Sequence, residues 1–253
     1  VAEFVGRKLK GKTFVYRIHD KPDPEKLRSF SYFIKRFGYE LDTENVKGLP
    51  AAMNKLMDEV AGKKEQNIVE TLALRSMAKA VYSTDNIGHY GLAFSHYTHF
   101  TSPIRRYPDM MVHRLLTKYL DKQPARDNDK YVKLCEHSSR MERLATDAER
   151  ASIKYKQVEF MSDKIGKVFE GVISGVTEWG IYVEIIENQC EGMVAIRELQ
   201  DDYFEYDEEN YCIRGRHSGK VYMLGDKVSV EVAKADLQKR QLDYRLADSS
   251  EKD

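Results

Sequence analysis

The sequence predicts an α+β protein: a mainly helical stretch of about 160 residues followed by a small closed β-barrel. Three observations carry the prediction. Apolar residues recur at helical spacing over most of residues 1–160, and from Gly166 onward they fall instead into five short strand-like runs. The charge divides at the same place. The 253-residue chain is neutral, with 41 Lys+Arg against 41 Asp+Glu, yet residues 1–160 hold 29 against 21 and residues 161–253 hold 12 against 20. A composition that is 42% hydrophobic, with 16 Tyr and 10 Phe, supplies enough apolar surface for packed cores and excludes global disorder.

The elements follow in order. Thr13-Phe14-Val15-Tyr16-Arg17-Ile18 has the β-branched and aromatic content of a short strand. Asp23-Pro24-Glu25 offers an N-cap with proline in the first helical position, and Leu27, Phe30, Ile34 and Phe37 run at helical spacing to Gly38, predicting a helix over 24–37. Pro50 opens a second helix ending by Gly62, and Ile68, Leu72, Leu74, Met77 and Val81 mark a third. Residues 82–102 read as a long loop holding His89, His96 and His99, with His113 beyond it; a loop of this length is usually functional or flexible. A helix is predicted from about Pro103, with Pro108 either kinking it or marking its true start. Residues 129–161 predict a charged helix on the order of 45 Å long. The strand-like runs around Val168–Ile173, Ile181–Ile185, Met193–Ile196, Val228–Val232 and Leu242–Leu246 suggest a barrel of the OB type, interrupted by an acidic insertion at 200–220.

No stretch approaches the roughly 18 apolar residues of a membrane span, and Val1–Lys8 lacks the apolar run of a signal peptide. Cys135, Cys190 and Cys212 are odd in number and far apart, fitting neither a disulfide framework nor a thiolate metal site. These features predict a soluble, cytoplasmic monomer without a membrane partner.

The sharpest local motif is Thr101-Ser102-Pro103-Ile104-Arg105-Arg106-Tyr107. With Ser102 as cap and Pro103 in the first turn, free backbone N–H groups and two guanidinium forks would converge on a phosphate. The alternative is that Arg105 and Arg106 pair with acids such as Asp109 or lie solvated. His96 and His99, without partnered cysteines, make a weak metal site, so packing and hydrogen bonding are the expected roles of the histidines.

The run from His89-Tyr90-Gly91-Leu92-Ala93 through His99-Phe100-Thr101-Ser102-Pro103-Ile104-Arg105-Arg106-Tyr107-Pro108-Asp109 to His113-Arg114 resembles the signature near the end of the RNB catalytic domain in the ribonuclease R branch of the ribonuclease II family. Arg17-Ile18-His19-Asp20-Lys21-Pro22 is similar to another segment of that family, and Gly166–Leu246 resembles its S1 RNA-binding domain. The resemblance implies the end of an RNB domain at 1–162, an S1 domain at 163–248 and a tail at 249–253. It implies a processive 3′-to-5′ exoribonuclease that hydrolyses single-stranded RNA to nucleoside 5′-monophosphates. The family's Mg²⁺-holding aspartate cluster has no match in residues 1–100, so the chain is expected to be a C-terminal portion whose metal ligands lie upstream.

Carried over residue by residue, the resemblance implies that Arg105 stabilises the scissile phosphate. Arg106 would contact the RNA backbone or serve structure, and Glu149 would line the end of the RNA channel or be simply an exposed charge on a long helix. Trp179 and Tyr182, in Trp179-Gly180-Ile181-Tyr182-Val183, would stack on bases, with Phe169 either extending the platform or packing in the core, and Asp236 and Arg240 completing the surface. Many S1 domains carry a histidine where Ala195 follows Gly192-Met193-Val194 here, which puts one contact in doubt. The competing expectation is that the isolated chain is an inactive RNA-binding fragment; a DNA-binding OB protein is a weaker third.

Overall fold

The computed structural model describes all residues except 10, 44–47, 64, 125–127, 200–201, 209 and 248–253, so the expected tail lies outside the described residues. The chain forms two compact units that do not follow chain order. One comprises residues 1–31, 40–56 and 73–146, the other 32–39, 57–72 and 147–253.

In the first unit, α1 (Ala2–Lys8) precedes β1 (Tyr16–Ile18), which pairs antiparallel with β2 (Val81–Ser83). The first of these was not legible in the sequence. α2 (Pro24–Ile34) begins as its cap signal predicts, with the Asp23 carboxylate accepting the Glu25 and Lys26 N–H groups, and closes through a 3₁₀ turn on Gly38, whose φ is +82°. α3 (Leu49–Val60) matches the second predicted helix. α4 (Gln66–Ser76) stops short of the expected end, because Val81 is taken by β2, opposite Ile18. α5 (Tyr107–Leu120) starts four residues later than Pro103 and places Pro108 in its first turn, where a missing N–H costs nothing. α6 (Asn128–Ser162) runs for 35 residues through both units. The core of the first unit gathers Val5, Phe14, Val15, Met111, Val112 and Leu115.

In the second unit the predicted barrel is present. β3 (Val168–Thr177), β4 (Gly180–Ile185) and β5 (Glu191–Ala195) are followed by β6 (Phe204–Asp207), β7 (Cys212–Gly215) and β8 (Val221–Met223), then β9 (Lys227–Asp236) and β10 (Gln241–Leu246). The barrel closes in the order β10-β5-β4-β3-β9, with β10 and β5 parallel. Strand alternation sends Ile181, Val183 and Ile185 inward, each gaining roughly 1.5–3 kcal/mol by leaving water. Val158 and Met161 from the end of α6 join this core. The insertion is a separate antiparallel sheet in the order β6-β7-β8, not the plain acidic strip that composition suggests. Its Asp202 carboxylate accepts the N–H groups of His217 and Ser218 and the Ser218 hydroxyl, which hold its carboxyl well below the usual range. The Phe33 ring meets Tyr211 edge-on at 5.5 Å, joining residues 32–39 to this sheet.

Candidate nucleic-acid interface

Arg105 and Arg106 sit side by side in sequence but have opposite surroundings. Residues 102–106 form a turn in which the Arg105 and Arg106 N–H groups donate to the Ser102 carbonyl, and α5 begins just after it. Ser102 is therefore not the helix cap expected from the sequence; Arg106, in extended conformation, occupies that position without capping by its side chain. The Asp109 carboxylate is fully buried, and its Oδ2 accepts both the Ser102 N–H at 2.8 Å and Arg106 Nη2 at 2.9 Å. Arg106 is thus committed to an internal ion pair, the structural alternative that the sequence leaves open beside a contact with RNA. Arg105 is exposed and its side chain has no hydrogen bond or ion pair among the described residues, and Ile104 beside it is fully exposed. A lone guanidinium offers a fork of donors suited to phosphate.

Beside this turn lies a second polar group that sequence reasoning missed. Arg17 Nη1 pairs with Glu142 at 2.6 Å, and its guanidinium carbon lies 4.6 Å from the centre of the Tyr82 ring. The Tyr82 hydroxyl bonds His99 Nδ1 at 2.9 Å. Burial, reinforced by Glu142, pushes the Tyr82 hydroxyl up to about 12. Burial, with Arg106 and Arg17 nearby, pulls the His99 imidazole down. His113 stacks on Phe100 with ring centres 4.0 Å apart and bonds the Phe100 carbonyl. Arg17 lay within a recognised segment, but its partner is 125 residues away, and no local pattern announces Glu142.

On the barrel, Trp179 occupies the turn between β3 and β4 and is 68% exposed. Gly180 explains the motif: its φ is +150°, and a Cβ there would collide with the Val194 carbonyl, so only glycine lets β4 cross β5 this closely. Tyr182 points outward on β4, opposite Gly175 and Met193, and an added carbon at Gly175 would meet the Tyr182 ring at 3.5 Å. Ala195 pairs with Gly180. Phe169, partly buried, packs against the barrel core, one of the two places the sequence leaves open for it: it shares the inward side of β3 with Gly171 and Ile173. Asp236 and Arg240 share the β9–β10 turn, where the Asp236 carboxylate accepts the Lys239 N–H at 2.9 Å and Arg240 has φ of +54°. That backbone bond, with Lys234 and Lys239 nearby, holds the Asp236 carboxyl below its usual range. Glu149 is exposed on α6 and belongs to the second unit, whereas Arg105 belongs to the first.

Comparison with known proteins places this geometry. The RNB domain profile matches residues 1–122 and the S1 RNA binding domain profile residues 162–245. Ribonuclease R of Aquifex aeolicus is 40% identical over 242 residues, covering 94% of this chain and 34% of its own length. The chain belongs to the ribonuclease R family. Ribonuclease R of Escherichia coli is 36% identical over 247 residues, so the chain spans about a third of the length of the curated relatives it matches. Among solved structures, the apo form of Mycoplasma genitalium RNase R superposes with a TM-score of 0.87 at 28% identity, covering 97% of this chain and 39% of that one; the same protein has been solved with ribose-methylated single-stranded RNA. Yeast Ssd1, described as a pseudonuclease, matches 84% of this chain and 27% of its own at a TM-score of 0.64 and 27% identity.

Ribonuclease R relatives imply a divalent metal. The residues present do not fit one: among the described residues no three His, Cys, Asp or Glu side chains gather as a metal-binding group. Among them, too, no helix is long and apolar enough to cross a membrane.

Proposed function

We propose that this chain is the RNA-holding part of a processive, Mg²⁺-dependent 3′-to-5′ exoribonuclease acting on single-stranded RNA and releasing nucleoside 5′-monophosphates. Residues 1–162 close the RNB domain, and residues 163–248 form the S1 domain that guides the strand. Arg105 stabilises the charge that develops on the scissile phosphate, a role for which phosphoryl transfer depends on positioned cations. Trp179 and Tyr182 stack on bases, Arg240 adds a local cation, and Glu149 lines the strand's path. Asp236 acts by shaping the turn that presents Arg240. The metal ligands come from residues other than these, and the enzyme works as a cytoplasmic monomer. The observation that supports this most is the exposed, unpaired Arg105 on a turn whose other arginine is internally neutralised.

A second reading is favoured by two observations, that no metal-binding group gathers among the described residues and that the fold is like that of a pseudonuclease. Under it the 253-residue chain alone binds RNA without cutting it. Incubating the chain with single-stranded RNA and Mg²⁺ tests both: tight binding with intact RNA is expected, and sustained release of monophosphates overturns the view that the metal site lies elsewhere. A matched RNA and DNA pair titrated over a salt series tests the choice of nucleic acid.

A further inference from the structure

We infer that Asp109 is a positioning residue that makes Arg105 the phosphate ligand by occupying Arg106; the inference rests on the proposed role of Arg105. Two adjacent arginines in one turn repel each other and compete for the same anion. The structure resolves the competition with one carboxylate. Asp109, fully buried three residues into α5, takes the Arg106 guanidinium and the Ser102 N–H on a single oxygen, tying the first residue of the turn to the last. Among the described residues, its other oxygen and Arg106 Nε are buried without hydrogen-bond partners. The turn is further closed by the Arg106 N–H donating to the Ser102 carbonyl at 3.0 Å. With both ends held, the tip carrying Ile104 and Arg105 faces solvent, and Arg105 is left as the one cation of the pair available to a ligand.

The titratable and charged groups around this carboxylate are Arg106 on its own turn, with Tyr82, His99, Arg17 and Glu142 in the neighbouring network. Among the described residues, none besides Arg106 bonds it through a side chain.

The test compares two double variants of the 253-residue chain with equal net charge. Arg106→Gln with Asp109→Asn keeps a hydrogen-bonded brace without charges; Arg106→Ala with Asp109→Ala removes it. The readout is the slope of log affinity for a single-stranded RNA oligonucleotide against log salt, which counts phosphate contacts and is insensitive to the unfolded fraction. Arg105→Ala is expected to lower the slope by about 0.7, the value of one contact on a single strand. The alanine pair should lower it equally, adding Arg105→Ala to that pair should change nothing more, and the amide pair should restore it. Equal slopes for the two doubles overturn the positioning role: both unchanged means the brace is unneeded, both lowered means Arg106 is itself a ligand. A silent Arg105→Ala instead overturns the phosphate reading on which the inference stands. If the alanine pair folds too poorly to titrate, hydrogen exchange at the Ser102 amide decides. Slow exchange in the wild type that the amide pair preserves supports the brace, and exchange at the rate of an open loop overturns it.

Discussion

The turn at 102–106 leaves Arg105 exposed and the turn at 178–179 leaves Trp179 exposed, and they do so by different physics. Arg105 is presented by electrostatics: its neighbour is neutralised by a buried carboxylate that also ties the turn to α5. Trp179 is presented by backbone geometry: Gly180 lets β4 pass close to β5, and the Trp179 carbonyl accepts the Ile196 N–H at 2.9 Å. A charge can be displayed singly only if nearby charges are satisfied; an aromatic ring needs only a rigid edge. The first device should fail when the Arg106–Asp109 brace is broken or one of its charges is left alone, the second when the backbone is changed.

The largest expected effect breaks the electrostatic side. Asp109→Ala alone leaves Arg106 without its counter-charge and should destabilise the first unit by about 3 kcal/mol, read by urea unfolding of the intact chain. Gly180→Ala attacks the geometric side. Strain at a positive φ and the collision with Val194 should cost about 2–3 kcal/mol and disturb the barrel, seen as lost near-ultraviolet dichroism from the single tryptophan. Trp179→Ala should leave stability unchanged, since the ring is mostly exposed, and weaken binding of single-stranded RNA by about 1–3 kcal/mol.

The smallest effect is a dependence on pH near His99. Burial depresses the folded imidazole's affinity for protons, so between the folded and unfolded pKa values the unfolded chain binds more protons. The stability that the neutral ring contributes is therefore fully present above about 6.5 and is lost as pH falls through the lower folded value. Unfolding measured at pH 7.5 and 5.5 should show the loss, and His99→Gln should reduce it.

The barrel was legible because its signal is local: alternation in Ile181–Val183–Ile185 needs no knowledge of the partner strand. The pairing of β1 with β2 was not, because Ile18 and Val81 lie 63 positions apart in the sequence, and Val81 alone fits a helical period as well as a strand. At 102–106 the residues were recognised but their arrangement was misread. Pro103 and Pro108 are both acceptable in a first helical turn, and the bond from the Ser102 N–H to the buried Asp109, which accompanies the later start, is not visible in either signal. The insertion's three strands were hidden by its acidic composition, although Phe204 and Ile213 carry its buried side. For Phe169 the sequence leaves platform and core open, and strand parity turns it inward.

The claim that the two devices are physically distinct is tested most directly by one salt series on single-stranded RNA with the Trp179→Ala and Arg105→Ala chains. The account predicts that Trp179→Ala shifts the line of log affinity against log salt downward without changing its slope, whereas Arg105→Ala lowers the slope by about 0.7. A changed slope for Trp179→Ala together with an unchanged one for Arg105→Ala would contradict it.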